Sequence, residues 1–394
     1  MIIQSNTLGN PSLKDGMNHN KHPNAIVHRF DAPFQFNVPY QGKPEIIPEL
    51  FVAYETWGDP SHPAILICHA LTGNTHATDL EYPDDWRRSW WPAMAGPGRA
   101  IDTDKYYVIC INMLGGCGGS SGPATINRET GKPYGLTFPI VEVEDMVRAQ
   151  KILLDALGVK KLYAVIGGSM GGFQALVWAI EYPDFVERVI PVASSAYSNQ
   201  FMIMTNRVQI DAVQTDLNYK DGHYHQGPPP STGLRIARML GHTTFISPIT
   251  MEKKFTKYHQ SQREPFADDK FHRRFFHEAE NYLHAVTESF ISDFDANSMV
   301  YLLQTWNHFD LAIRHGSLAK AMERVKAKMM VVSATGDNLF PPYLSEDLVK
   351  AMQVNGLPVK YLCLEEEYGH DFFLKPEIIQ KKLTDPIRGF LEET

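Results

Sequence analysis

The hexapeptide Gly167-Gly-Ser-Met-Gly-Gly172 constrains this chain more than any other stretch. An apolar run, Lys161-Leu-Tyr-Ala-Val-Ile166, precedes it, and an amphipathic run from Phe173 to Tyr182 follows. Strand, tight turn and helix in that order turn a bare G-x-S-x-G match into a nucleophile elbow. So sharp a turn brings the positions two residues either side of the serine together, and only Gly167 and Gly171 leave room. The elbow presents Ser169 at the carboxyl end of a sheet, where a base and a substrate can reach its hydroxyl.

A serine needs a base, and the base needs an orienting acid. Lys328-Met-Met-Val-Val-Ser-Ala334 reads as a buried strand and ends in Thr335-Gly-Asp337. Val359-Lys-Tyr-Leu-Cys-Leu364 reads as another, followed by a loop with Tyr368-Gly-His370-Asp371. The order Ser169, Asp337, His370, each past a strand end, is that of an α/β-hydrolase triad. Ser169 is the candidate nucleophile, His370 the general base, and Asp337 the residue that fixes the imidazole tautomer. The short strand Ala64-Ile-Leu-Ile-Cys68 leads into His69-Ala-Leu-Thr-Gly73. The backbone N–H groups of Met170 and Leu71 are the candidate oxyanion hole, each worth about 3–4 kcal/mol in the transition state.

The alternation of strands and helices from Ile46 to Ala193 predicts a mostly parallel sheet flanked by helices. Strands are expected over 46–56, 106–112, 162–166 and 188–193, and a helix over 142–157. From Ser195 to Ile313 the pattern turns helical, interrupted by the stiff turn Gly227-Pro-Pro-Pro230. A chain of 394 residues exceeds one ordinary core. The expected organisation is therefore a polar tail over 1–24, a core over 25–194 and 314–394, and a helical lid over 195–313. That lid enters after the sixth strand, and a final helix spans 378–392.

Bulk properties narrow the partners. A net charge of −8 argues against nucleic acid or an anionic membrane surface. Lys253-Lys254 and Arg273-Arg274 read as solvated helix faces. Of the four cysteines, Cys68, Cys110 and Cys363 fall in apolar strands and are expected in the core, while Cys117 lies in a glycine loop. Their spacing suits neither a metal nor a disulfide framework, and His277-Glu278 lacks the second histidine of a zinc-protease helix. No metal site is expected. Without a leader pattern or a membrane-spanning apolar run, a cytoplasmic location is expected.

Together these residues resemble the homoserine O-acetyltransferase family of α/β-hydrolases. The matching segments include Leu66-Ile-Cys-His-Ala-Leu-Thr-Gly73, Gly96-Pro-Gly98, Ala100-Ile-Asp-Thr103, Asn112-Met-Leu-Gly-Gly-Cys117 and Ser121-Gly-Pro123. Phe294-Asp-Ala-Asn-Ser298, Asp337-Asn-Leu-Phe-Pro341 and Gly369-His-Asp371 complete the match. The resemblance implies a ping-pong transfer in methionine biosynthesis. Ser169 would take an acetyl group from acetyl-CoA, a co-substrate rather than a bound cofactor, and the hydroxyl of L-homoserine would attack the acyl-enzyme. It also implies that Arg238, in Gly233-Leu-Arg-Ile-Ala-Arg238, binds the amino acid's carboxylate and Asp371 its ammonium group, and that the protein dimerises through the lid. The chain departs from the family pattern in the lid. Phe245 stands for a usual tyrosine near the substrate, Ile210 for an arginine, Leu217 for a proline, and Phe255-Thr-Lys257 for phenylalanine–glycine–arginine. The residues therefore leave open a related acyltransferase using succinyl-CoA or another hydroxylated acceptor, and a serine ester hydrolase.

Overall fold

In the computed structural model, residues 2–3, 21–84, 88–255 and 278–393 are described. The expectations for Lys257, Arg273-Arg274, His277 and most of the tail fall outside them. Numbering the strands of the large sheet in chain order gives β1 (Ile2–Ile3), β2 (Ile26–Phe30), β3 (Leu50–Trp57), β4 (Ala64–Cys68) and β5 (Tyr107–Ile111). After these come β6 (Leu162–Gly168), β7 (Arg188–Val192), β8 (Lys328–Ala334) and β9 (Val359–Leu364). Their order is β1-β2-β3-β5-β4-β6-β7-β8-β9. From β5 to β9 every pairing is parallel, and β1 to β3 add antiparallel strands on one side.

Alternating side chains build two cores. On β4, Ala64, Leu66 and Cys68 join the cluster beneath helices α1 (Val143–Ala156) and α2 (Met170–Glu181). Ile65 and Ile67 join the opposite cluster, with Trp91, Phe372, Phe373 and the C-terminal Phe390. A parallel strand covered on both faces is apolar throughout, which is why β4 and β6 read as continuous runs rather than alternating ones. The start of α1 is fixed by a capping box in which the Glu142 amide donates to Asp145.

Between β7 and β8 the chain runs through α3 (Gln200–Gln214), α4 (Ser231–Phe245), α5 (Pro248–Lys254), α6 (Glu278–Asp293) and α7 (Ala296–His308). Helix α4 packs against both α3 and α6, and α3 also contacts α7. The Phe294–Ser298 segment proves to be the hub of this layer. Asp295 caps α7 by accepting from the Ser298 amide at 2.8 Å and takes the Tyr224 hydroxyl at 2.6 Å, while Asn297 donates to the Gly222 carbonyl at 2.9 Å.

Four details depart from expectation. The strand expected over 46–56 is split, because Pro48 cannot donate to a ladder, into Ile46–Ile47 and β3. With Ile2–Ile3 paired to β2, the helical run follows the seventh strand rather than the sixth. The C-terminal helix is broken by a π-turn over Ile379–Leu383 before α-helix resumes at Thr384. Cys363 is exposed, since β9 is the sheet edge and only its last residue is buried, whereas Cys68, Cys110 and Cys117 are buried. Among the described residues no helix is long and apolar enough to cross a membrane.

Candidate active site

Parallel strands end together, so the loops after β4, β6, β8 and β9 meet over one edge of the sheet. Ser169 sits between β6 and α2 with φ 57° and ψ −124°, a backbone conformation that L-residues rarely adopt. Its amide donates to the Val192 carbonyl at 2.9 Å, and its carbonyl accepts from the Ser194 hydroxyl at 2.9 Å. A Cβ on Gly167 would overlap the Gly171 carbonyl, and one on Gly171 would overlap the Cys68 carbonyl. The glycine spacing of the sequence is thus a packing requirement.

Across the edge, His370 Nδ1–H donates to Asp337 Oδ2 at 2.8 Å. The other Asp337 oxygen accepts from the Leu339 and Phe340 amides at 3.0 and 2.7 Å, so the carboxylate cannot rotate away. His370 and Asp337 are both buried. Phe340 stacks on the imidazole with centroids 5.0 Å apart, and Phe373 meets its edge at 5.7 Å. The Phe373 ring also lies against the Gly168 backbone, which seats the histidine segment on the elbow. Burial alone would lower the pKa of His370. The Asp337 charge and hydrogen bond, with a smaller part from Asp371, outweigh burial and raise it above the ordinary histidine value. With Nδ1 committed to Asp337, Nε2 is the nitrogen left for a proton from serine. Among the described residues no hydrogen bond joins Ser169 Oγ to that ring. Such bonds are often loose without substrate.

The two oxyanion candidates are placed as donors. Met170 opens α2, where an amide has no partner inside the helix, and Leu71 lies in the turn after β4. Among the described residues neither amide has an acceptor. The turn is held by His69. Its Nε2 accepts from the Met113 amide at 3.2 Å and faces Asn112 Nδ2 at 3.1 Å, so Nδ1 carries the proton and donates to the Ala70 carbonyl at 2.8 Å. Burial pushes the His69 pKa down to about 4, which keeps the ring neutral. Further along, Thr75 donates to Glu55 at 2.6 Å and His76 Nδ1 faces the other Glu55 oxygen at 2.8 Å. His22, Glu55 and His76 offer ligand-type atoms within 4.8 Å of one another. However, the two imidazoles stack 3.6 Å apart and nearly parallel, so their nitrogens do not converge on one point. The cluster anchors the exit of the turn after β4.

The substrate candidates lie on the α4 side. Arg238 is half-buried: it keeps some accessible surface yet lies deep below the outer surface, as does Asp371. Arg238 Nη1 donates to Thr72 Oγ1 at 3.2 Å, and its guanidinium lies 4.7 Å from the Phe290 ring centroid and 5.5 Å from that of Phe245. Its Nε is buried without an acceptor. Asp371 forms no hydrogen bond or ion pair among the described residues. Burial raises its pKa against the opposing pull of His370, Lys375 and Arg238. Phe245 faces His370 with ring centroids 6.1 Å apart. The sequence reading missed His69, Glu55, Phe340 and the pair His242–Tyr282, joined at 2.8 Å. All act through contacts between distant residues that leave no local spacing signal.

The α/β-hydrolase fold family model matches residues 63–376. The homoserine O-acetyltransferase of Methanohalobium evestigatum is 46% identical over 352 residues, covering 88% of this chain and 70% of that protein. Among solved structures, the homoserine O-acetyltransferase from Bacillus anthracis superposes with a TM-score of 0.79 at 26% identity, covering 93% of this chain and 98% of the other. Esterase E22 superposes with a TM-score of 0.78 at 30% identity, covering 93% of this chain and 100% of the other.

Proposed function

Because this chain belongs to the homoserine O-acetyltransferase family of the α/β-hydrolases, we propose that it transfers an acetyl group from acetyl-CoA to the hydroxyl of L-homoserine by a ping-pong route, in methionine biosynthesis. What supports this reading is that a charge of each sign stands beside the nucleophile system: Arg238 bonds Thr72 in the turn after β4, and Asp371 follows His370 directly. Ser169 attacks the thioester carbonyl while His370 Nε2 takes its proton, and Asp337 stabilises the imidazolium that forms. The developing oxyanion is met by the Met170 and Leu71 amides. CoA leaves as the thiol after receiving the proton from His370. Homoserine then gives its hydroxyl proton to His370 and attacks the acyl-enzyme, and as the ester bond to Ser169 breaks His370 returns the proton to the serine oxygen. Arg238 holds the acceptor's carboxylate and Asp371 its ammonium group, which fixes the hydroxyl near the ester.

The helices between β7 and β8 serve as a lid that keeps water from the ester. One face of α3 exposes Phe201, Met204 and Val208, the surface on which a homodimer would pair. The predominance of buried free thiols suits a cytoplasmic location.

A second reading, ester hydrolysis, is favoured by the likeness to esterase E22 and by Phe245, which offers no hydrogen bond to an acceptor. One experiment separates the two. Pure protein with acetyl-CoA is followed for free thiol, with and without L-homoserine. Steady release only with homoserine, with O-acetylhomoserine identified by mass, is the expected result. Thiol release indifferent to homoserine would overturn the transferase reading in favour of the hydrolase.

A further inference from the structure

Two cations on the α4 side of the site form no ion pair among the described residues, although the second also feels the Asp371 charge. Outward from the catalytic centre, the His370 ring faces Phe245 at 6.1 Å, and Phe245 meets the edge of His242 at 5.7 Å. The His242 Nε2 pairs with the Tyr282 hydroxyl at 2.8 Å, and Lys254 Nζ lies 3.6 Å from the centroid of the Tyr282 ring. The second cation is Lys375, four residues beyond Asp371, with Nζ 4.9 Å from the centroid of Tyr368. Neighbouring lysines are neutralised, Lys253 by Glu367 and Lys382 by Glu366. Lys254 and Lys375 rest instead on aromatic faces, which hold an ammonium group in place without cancelling its charge.

The field they make is positive although the chain is acidic. Burial first, then Lys375, lowers the Lys254 pKa. Burial first, then Arg238, Lys254 and Lys375, brings His242 to about 4, so the ring between them stays neutral. The three cations are layered. Arg238 bonds Thr72 beside the oxyanion turn, whereas Phe245, His242 and Tyr282 stand between His370 and Lys254. An anion held by Lys254 and Lys375 would lie across these rings from an acyl group seated on Ser169, where the far end of a long donor would reach.

We infer that Lys254 and Lys375 form an anion-holding rim that binds the phosphate groups of a nucleotide-bearing acyl thioester while its acyl end reaches Ser169. The inference rests on the proposed function and adds to it the part of the donor that these residues read.

The test compares acetyl-CoA with S-acetyl-pantetheine, which carries the same thioester and no phosphate. Lys254→Ala and Lys375→Ala should each raise the KM for acetyl-CoA roughly ten-fold, as expected for losing one charge-assisted contact. The KM for S-acetyl-pantetheine should shift less than about two-fold. In the unsubstituted protein, raising the salt from about 0.05 to about 0.5 M should raise only the acetyl-CoA value. Equal effects on both donors, no effect on either, or a shift confined to the KM for homoserine would overturn the inference. So would a loss of turnover with S-succinyl-pantetheine, because the anion would then be an acyl carboxylate. The burst of p-nitrophenol from p-nitrophenyl acetate reports acylation of Ser169 without any phosphate. A normal burst without phosphate discrimination defeats the rim and spares the proposed function, whereas no burst defeats both.

Discussion

The edge of the sheet and the α4 face of the pocket are built on opposite principles. At the edge the two groups that orient the chemistry are satisfied: Asp337 accepts three hydrogen bonds, and His69 is committed on both nitrogens. On the α4 face Arg238 Nε and His242 Nδ1 are buried without partners, and Asp371 pairs with nothing described. A buried unpaired polar group costs stability, so its persistence points to a ligand that completes it. The edge is organised before substrate arrives, while the opposite face is finished by substrate. Chemistry and specificity therefore separate, and substitutions should sort accordingly.

The largest effect is expected at the edge. Asp337→Asn keeps the shape of the carboxylate but can present an amide N–H to His370 Nδ1, turning the ring to the wrong tautomer. The rate of acylation should fall about 10³–10⁴-fold, with the KM for homoserine unchanged. Burst kinetics with p-nitrophenyl acetate measure the first quantity and steady-state assays the second. A matching rise in the homoserine KM would break the separation of the two faces.

Arg238→Met tests the other side. Acylation of Ser169 should continue at near its normal rate, while the KM for homoserine rises about 10²-fold through loss of a charge-assisted pair. Burial disfavours the guanidinium more than Asp371 and Tyr282 favour it, so its removal should also raise Tm. A lower Tm would show that Thr72 and the Phe290 face already compensate Arg238, and the contrast with the edge would weaken.

This division also explains what the sequence made legible. Strands β4, β8 and β9 were readable to the residue, since each is a largely apolar run with turn residues at its ends. The positions of Ser169, Asp337 and His370 were readable because each follows the end of such a run. The supports were not. His69 acts on Met113, 44 residues away, and Glu55 on His76, 21 residues away, so nothing local marks either. Cys363 misled because an apolar run does not reveal which strand will form an edge. Lys253 and Lys254 are exposed on α5, as a solvated helix face should be, and Lys254 also meets the Tyr282 ring.

The pH profile sharpens the comparison on a smaller scale. The base must be neutral to accept the serine proton, so activity falls about ten-fold per unit below the pKa of His370. Burial would move that pKa down, but Asp337 and then Asp371 move it up, so the acid limb of kcat/KM should lie above 6.5. His69 and His242, each at about 4, are already neutral there and leave the limb to His370. Asp371→Asn should shift the limb down by less than about one unit, because Asp371 is the smallest of the contributors. A limb at or below 6.5 in the unsubstituted protein would mean that burial wins at the edge, and that the paired carboxylate does not set the base.

The smallest effect concerns stability. With φ at 57°, Ser169 holds a conformation that costs a non-glycine residue about 1–3 kcal/mol, and the turn bonds to Val192 and Ser194 keep it there. Ser169→Gly removes both the hydroxyl and the Cβ that causes the strain, at an entropic cost of about 0.5–1 kcal/mol. Ser169→Ala removes the hydroxyl alone. Both lose acylation, but only the glycine variant should unfold at higher denaturant, by about 1 kcal/mol relative to the alanine variant. The pair isolates the backbone term, because any packing lost with the hydroxyl is common to both. Equal stabilities would place the strain in the glycine neighbours rather than at Ser169. A more stable glycine variant would show that the edge, for all its satisfied hydrogen bonds, also gives up stability for function, through its backbone where the α4 face does so through charge.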